Sequence, residues 1–122
     1  MDRYIGIPYV VGGRDIHGLD CYGLVWLAER EIWGKELPCL VYGQDEDAPQ
    51  LFIENRPLLN AEEVLSPVDG DMVLLFVHAV PKHIGVYCNN GVLHATHKNG
   101  VVWEKLDSPF MRRFDKKEFY RV

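Results

Sequence analysis

The stretch GLDCYGLVWLAERE, residues 18–31, decides the fold, because it carries the strongest helix signal in the chain and places a thiol at the helix start. From Cys21 to Trp33 the apolar residues recur at helical spacing on one face. Asp20 stands where an N-cap residue belongs, and Gly34 supplies a stop at the other end. The sequence therefore predicts an amphipathic helix that buries one face against the rest of the chain.

Length and composition limit the possible classes of protein. The chain has 122 residues, of which 48% are hydrophobic, so we expect a single domain over residues 1–122. Its formal net charge of −5 argues against nucleic acid as a partner. No apolar run approaches the roughly 20 residues needed to cross a bilayer, and the N-terminus lacks the pattern of a secretory signal. We expect a protein that is made in the cytoplasm and does not insert into a membrane.

The three cysteines, Cys21, Cys39 and Cys88, are irregularly spaced and form no CxxC pair. This pattern argues against a disulfide framework and against a zinc knuckle, so each is interpreted as a free thiol. We expect Cys39 and Cys88 to be structural, since free cysteines are among the most buried side chains. A zinc-binding module is the least favoured function, and we expect no metal and no cofactor.

The segments on either side of the helix carry weaker signals. Residues 1–19 are interrupted by Gly12-Gly13 and are predicted to form an extended arm and loop. Residues 35–70 are predicted to be mostly loop with one or two short helices, one of them capped by Asp47. The acidic stretch at residues 44–48 is expected to be a solvated loop.

After Gly70 the pattern changes to short β-type runs separated by turn signals: MVLLFV, HIGVYC, VLHAT, VVWEKL and EFYRV. Asn90-Gly91 and Asn99-Gly100 are predicted to be hairpin turns. Because no helical pattern separates the strands, we expect an antiparallel meander packed against the helix, which is an α+β fold.

The residue types permit nucleophilic catalysis. Cys21 in the first turn of a helix lies near the positive end of the helix dipole and near unpaired amides, which favour thiolate. The first predicted hairpin places the strands that carry His83 and His94 side by side, so that one imidazole can orient the other. The three side chains are candidates for nucleophile, base and orienting group, with amides near Cys21 and Tyr22 available to an oxyanion. His97 is expected to point away from His94 if the strand continues that far, which argues against a metal site at this HxxH spacing.

Three segments in order resemble the NlpC-type cell-wall cysteine peptidases. GIPYVVGGRDIHGLDCYGLV resembles their nucleophile segment, SPVDGDMVLLF the start of their first strand, and HIGVYCNNGVLHA their double-histidine hairpin. The resemblance implies a reduced papain-like fold with Cys21 as nucleophile, His83 as general base and His94 as the third polar residue. It also implies that the hydroxyl of Tyr9 lies near the thiol. The substrate class it implies is the peptide stem of peptidoglycan, commonly at a bond between D-glutamate and a diamino acid.

The C-terminal segment GVVWEKLDSPFMRRF resembles the branch of this family found in phage tail tips and related particles. That branch implies other tail-tip proteins as partners and incorporation into a tail that acts on the host cell wall. Tyr22 stands where many members have serine, and we expect it to form part of the pocket wall. Asp20 is a further candidate for a substrate or oxyanion contact, although a helix cap alone also explains it. The alternatives are an idle, structural tail-tip component and a related thiol amidase or acyltransferase.

Overall fold

The predicted helix forms with the predicted bounds, Cys21–Trp33, and is named α1. Its N-cap Asp20 accepts a hydrogen bond of 2.8 Å from the Gly23 amide, which satisfies one of the free donors of the first turn. Gly34 ends the helix in the left-handed conformation, with a φ of 66°. The computed structural model describes residues 2–44 and 47–122.

The remaining elements of the described residues are mostly strands. The strands are β1 (Arg14–Asp15), β2 (Gly18–Leu19), β3 (Glu62–Val64), β4 (Met72–Val77), β5 (Val80–Cys88), β6 (Gly91–Thr96), β7 (Gly100–Lys105) and β8 (Lys116–Arg121). Two short helices, α2 (Ala48–Glu54) and α3 (Arg56–Leu59), follow α1, and two 3-10 turns lie at Asp2–Tyr4 and Met111–Arg113.

Six strands form one antiparallel sheet with the order β3-β8-β4-β5-β6-β7. Strands β4 to β7 form the predicted meander. Strand β8 does not extend it, because the chain returns after β7 and pairs with β4, where Tyr120 lies opposite Met72. The short edge strand β3 was not predicted, since its three residues, Glu62–Val64, carry no apolar alternation.

The two faces of the sheet have different partners. Helix α1 packs on the face that carries Ile84, Val86, Leu93 and Ala95, which are buried in one core cluster with the apolar side of the helix. A second, smaller cluster covers the opposite face with four fully buried residues, Val73, Leu75, Val92 and Met111, and with partly buried aromatic rings. The sheet is therefore buried on both sides, by helix on one and by the loop after β7 on the other.

The turn between β5 and β6 lies one residue earlier in the chain than predicted. Asn89 and Asn90 have φ values of 51° and 61°, so they are the turn residues between β5 and β6. Gly91 already belongs to β6, where a Cβ atom would lie 2.4 Å from the Trp103 ring. Packing against this ring, rather than the turn, explains the glycine.

The segments outside the sheet follow the prediction in part. Residues 1–19 contain a 3-10 turn and the two-residue pairing of β1 with β2, which the arm-and-loop prediction did not include. Two short helices form between residues 35 and 70, but the Asp47 side chain makes no capping hydrogen bond. Asp45 and Glu46 of the acidic stretch lie outside the described residues. Among the described helices, none has the length and apolar character needed to cross a membrane.

Candidate active site

The structure brings His83 and His94 together on one face of the sheet. Val86 pairs with Leu93 across β5 and β6, and this register places both histidines on the face opposite to α1. His83 Nε2 lies 2.9 Å from His94 Nδ1, and the two rings meet edge to face with centroids 5.1 Å apart. The contact predicted from the hairpin is present, which makes one imidazole a direct partner of the other.

A glycine makes room for this contact. Gly85 lies on the same face as the histidines, and a Cβ atom there would lie 2.8 Å from the Leu93 carbonyl oxygen and 3.1 Å from His94 Cβ. A side chain at this position would push against the neighbouring strand. The absence of one lets His94 pack closely beside β5.

Glu104 joins the histidine pair and was missed in the sequence. Its Oε2 atom lies 2.6 Å from His94 Nε2, and it is 27% exposed whereas the His94 side chain is fully buried. The register pairs His94 with Val102, so Glu104 lies two residues further along β7 on the same face. The predicted turn at Asn99-Gly100, combined with strand alternation, was a signal that could have found it.

Burial shifts the titration of both imidazoles. Burial, together with the neighbouring His94 and His97, lowers the pKa of His83 to about 3. Burial also lowers the pKa of His94, although the Glu104 carboxylate acts in the opposite direction. These shifts favour the neutral form of both rings at pH 7, and a neutral imidazole has a lone pair that can accept a proton.

A cavity of about 750 Å³ opens beside the histidine pair. The polar and charged residues that line it are Lys82, His83, Thr96, His97, Lys98, Asn99, Glu104 and Arg113, and its main aromatic walls are Phe110 and Phe114. The expectation for His97 depended on a strand that continued past it, but β6 ends at Thr96. His97 therefore lies in the turn and lines the same cavity as His83.

Tyr9 links this cavity to the start of α1. Its ring stacks on the His97 ring with centroids 4.0 Å apart, and its backbone forms a bridge with Leu19, two residues before Cys21. The start of α1 and the turn after β6 therefore lie on either side of Tyr9. Whether its hydroxyl lies near the thiol stays a prediction.

Cys21 is the first residue of α1 and is 1% exposed, within the core cluster between the helix and the sheet. The Trp33 ring at the other end of α1 packs against Gly70, whose amide donates to the Tyr87 carbonyl. The last residue of α1 therefore lies near the Tyr87 end of β5, and the helix runs so that its first turn lies toward the His83 end of that strand. Cys21 is not among the described residues that line the cavity, and its approach to His83 stays a prediction.

Asp20 fixes the segment in front of the thiol. Besides the Gly23 amide, its buried carboxylate accepts hydrogen bonds from the Gly12 amide at 2.7 Å, from Arg14 Nη1 at 3.0 Å and from the Tyr42 hydroxyl at 2.7 Å. Both oxygens are occupied by groups of the chain itself. Asp20 therefore caps the helix and holds the preceding loop in place, and it is not among the described residues that line the cavity.

The structure contradicts the prediction that the Tyr22 side chain forms a pocket wall. Tyr22 is 0% exposed, and its hydroxyl donates to the Pro38 carbonyl at 2.7 Å. An aromatic residue in the first turn points inward here because the chain after α1 folds back to cover it. Only its backbone amide remains a candidate for an oxyanion contact.

The other two thiols differ from each other. Cys88 is buried, as expected for a structural cysteine, whereas Cys39 is exposed, which contradicts that expectation. Neither forms a disulfide. Within residues 2–44 and 47–122, no three side chains of the metal-binding types cluster in a way that could hold an ion.

Comparison with known proteins identifies the relatives of this chain. The family model described as NlpC/P60 family matches residues 6–118. The murein DD-endopeptidase MepS/murein LD-carboxypeptidase of Escherichia coli K12 is 31% identical over 117 residues, which are 93% of this chain and 56% of that protein. The probable endopeptidase NlpC of the same strain is 28% identical over 116 residues, 93% of this chain and 68% of that protein. The chain thus spans little more than half the length of the first of these relatives.

Solved structures show the same fold. The NlpC/p60 domain of the peptidoglycan hydrolase SagA superimposes with a TM-score of 0.62 at 19% identity, covering 99% of this chain and 91% of that one. An NlpC/P60 family protein from Bacillus cereus gives a TM-score of 0.60 at 18% identity, covering 98% of this chain and 36% of that one. The predicted α+β, reduced papain-like fold is confirmed.

Proposed function

The chain belongs to the NlpC/P60 family, and on this premise we propose that it is a cysteine-type hydrolase that cleaves the peptide stems of peptidoglycan. One observation carries the proposal most directly: His83 Nε2 and His94 Nδ1 lie 2.9 Å apart beside a cavity of about 750 Å³. A pair of neutral, hydrogen-bonded imidazoles beside a cavity is suited to general base catalysis. The relatives named as murein and probable endopeptidases support the same reaction class.

In the proposed reaction, Cys21 is the nucleophile and His83 the general base. His83 accepts the proton of the thiol as Sγ attacks the carbonyl carbon of the scissile bond. The oxyanion that forms is stabilised by backbone amides at the start of α1, where the helix dipole is positive. The amine product leaves with the proton that His83 returns to its nitrogen, and a thioester remains on Cys21.

Water completes the cycle. His83 accepts a proton from the water molecule that attacks the thioester carbonyl, and it then returns that proton to Sγ as the acid product leaves. His94 orients the His83 ring throughout. No cofactor takes part in these steps.

The charges around the cavity support an acidic peptide as substrate. Although the chain has a formal net charge of −5, three basic residues, Lys82, Lys98 and Arg113, line this cavity. None of them forms an ion pair with another described residue, whereas the carboxylate of Glu104 is occupied by His94. A stem peptide carries free carboxylates that these cations can bind. A bond between D-glutamate and a diamino acid is the first candidate for cleavage.

We also propose that the domain acts as a component of a phage-type tail tip, in contact with other tail-tip proteins. This part of the proposal depends on the resemblance of residues 100–114 to that branch of the family. Particles that carry Cys21→Ala test it: they are expected to assemble but to fail at infection. Normal infection by these particles would contradict the proposal that hydrolysis by this domain is needed at the tail tip.

Digestion of purified peptidoglycan, followed by mass spectrometry of the released fragments, tests the hydrolase proposal. Wild type is expected to release stem peptides with one added water, whereas Cys21→Ala and His83→Ala are expected to release none. Cys39→Ala is the matched control, because it removes an exposed thiol and is expected to keep full activity. Equal release by wild type and Cys21→Ala would refute the proposal and favour an idle structural domain. Transfer of the acyl group to an added amine would indicate an acyltransferase.

A further inference from the structure

Three polar side chains form a continuous line across neighbouring strands of the sheet. Glu104 on β7 contacts His94 on β6 at 2.6 Å, and His94 contacts His83 on β5 at 2.9 Å. Phe110 packs against both imidazole rings, with centroid distances of 5.8 Å to His83 and 4.8 Å to His94. Phe110 thus covers the middle of the line, where the His94 side chain is fully buried, and holds the two rings in place.

We propose that Glu104 is a positioning residue that sets the tautomers of both histidines, so that Nδ1 of His83 carries the lone pair that accepts the thiol proton. This inference rests on the proposed function for the role of that proton. The arrangement of the tautomers is a property of the folded chain and can be measured without substrate.

The tautomers follow from which atoms can donate a hydrogen bond. A carboxylate oxygen only accepts hydrogen bonds, so the contact at 2.6 Å requires a proton on Nε2 of His94. A neutral His94 then has its lone pair on Nδ1, where it accepts from Nε2–H of His83. The neutral His83 in turn keeps its lone pair on Nδ1. One carboxylate therefore determines the protonation of four ring nitrogens.

The same line stabilises the charge that develops during the reaction. When the S–H bond of Cys21 breaks and the N–H bond at His83 Nδ1 forms, His83 becomes a cation. The other charged or titratable groups that line the cavity are Lys82, His97, Lys98 and Arg113. The two lysines and the arginine are cations that disfavour a positive charge on His83, and the imidazole of His97 has no negative charge to offset it. Glu104 is the one carboxylate among the described residues that line the cavity. Its negative charge reaches His83 through a single intervening ring.

Nitrogen-15 NMR of the five histidines tests the tautomers directly in the intact chain. With signals assigned by single substitutions, His83 and His94 in the wild type are expected to be neutral Nε2–H tautomers at pH 7. Glu104→Gln is expected to remove the fixed tautomer of His94. Glu62→Gln is the matched control, because it also neutralises a glutamate on an edge strand of the same sheet, and it is expected to leave both tautomers unchanged.

Kinetics on stem peptides tests the consequence for the reaction. Glu104→Gln is expected to lower kcat by about tenfold to hundredfold, the range for loss of a charge-assisted hydrogen bond, with KM changed less than about twofold. Glu104→Asp keeps the charge and is expected to recover part of the rate. A change confined to KM, or equal losses in Glu104→Asp and Glu104→Gln, would contradict a positioning role.

The wild-type spectrum alone can overturn the inference, even where a variant fails to fold. A proton on Nδ1 of His94 or of His83 in the resting protein would refute it. The expected tautomers in a protein that cleaves no peptidoglycan would refute the proposed function and leave the assignment of tautomers to Glu104 intact. The two failures are therefore distinguishable.

Discussion

The buried carboxyl group of Glu29 makes the stability of the fold depend on pH. Glu29 lies in α1, is 0% exposed, and neither of its side-chain oxygens has a hydrogen-bond partner among the described residues. Burial raises its pKa from 4.5 to about 7, with Asp71 adding to the rise and Lys35 opposing it. We predict that Glu29→Gln stabilises the protein, and more so as the pH rises.

The magnitude follows from the difference between the folded and unfolded pKa. Between pH 4.5 and 7 the folded state holds a proton at Glu29 that the unfolded state has released, so wild-type stability falls as the pH rises. The contribution of the Glu29 proton to the free energy of unfolding is fully present below pH 4.5. Above pH 7, about 3 kcal/mol of that free energy has been lost. Glutamine has the same shape and does not titrate, so the variant avoids this loss.

Thermal denaturation at pH 5 and pH 8.5 measures the effect. The advantage of Glu29→Gln is expected to be about 1 kcal/mol at pH 5 and about 3 kcal/mol at pH 8.5. For a chain of 122 residues, 1 kcal/mol corresponds to about 4 °C in Tm, so the gain grows from about 4 °C to about 12 °C. Glu36→Gln is the control, because Glu36 is exposed near the same helix. An equal gain at both pH values would refute the reasoning.

Three further substitutions test the site and its support. Asp20→Ala is expected to lower the free energy of unfolding, measured by urea titration, by about 3 kcal/mol, because it removes the helix cap and the carboxylate partner of Arg14. The control is Asp15→Ala, which changes an exposed carboxylate and is expected to lower that free energy by less than about 0.5 kcal/mol. Gly85→Ala is expected to lower the free energy of unfolding by about 1–3 kcal/mol, since its Cβ would lie 2.8 Å from a backbone carbonyl oxygen of the neighbouring strand. An unchanged free energy in the same urea titration would contradict that packing. Arg113→Glu is expected to raise KM for acidic stem peptides by about tenfold with little change in kcat, and a lower kcat at constant KM would exclude a role in binding carboxylates.

The predictable parts of the fold are those that depend on residues close together in the sequence. Asp20 and Gly34 mark the ends of α1 because capping depends on the local chain, and strand alternation sorted His83 and His94 onto one face. The parts that were not predictable depend on distant partners. The return of β8 to pair with β4 is decided by packing across the sheet, and no local pattern distinguishes it from a strand added after β7.

The site shows the same division. The histidine pair follows from one hairpin and was predictable, whereas Glu104 required the register of a second hairpin as well. Tyr22 was assigned to the pocket wall through the family resemblance, because it stands directly after Cys21 where many members have serine. Successive residues on a helix point about 100° apart, so Tyr22 turns into the core and donates to Pro38. Adjacency along the chain does not give adjacency in a site.

The two faces of the sheet separate stability from chemistry. The face toward α1 is apolar at Ile84 and Val86, and the helix that covers it is held by the cap at its start. The opposite face accepts a buried imidazole at position 94 because both of its ring nitrogens have partners, and an incomplete line would leave a costly polar group in the core. Glu104 is partly exposed and can place its charge at the outer end of the line at little desolvation cost. At the other end of the line, His83 borders the cavity and its Nδ1 takes no part in the contact with His94, so this is the nitrogen that the proposed reaction uses to accept the thiol proton.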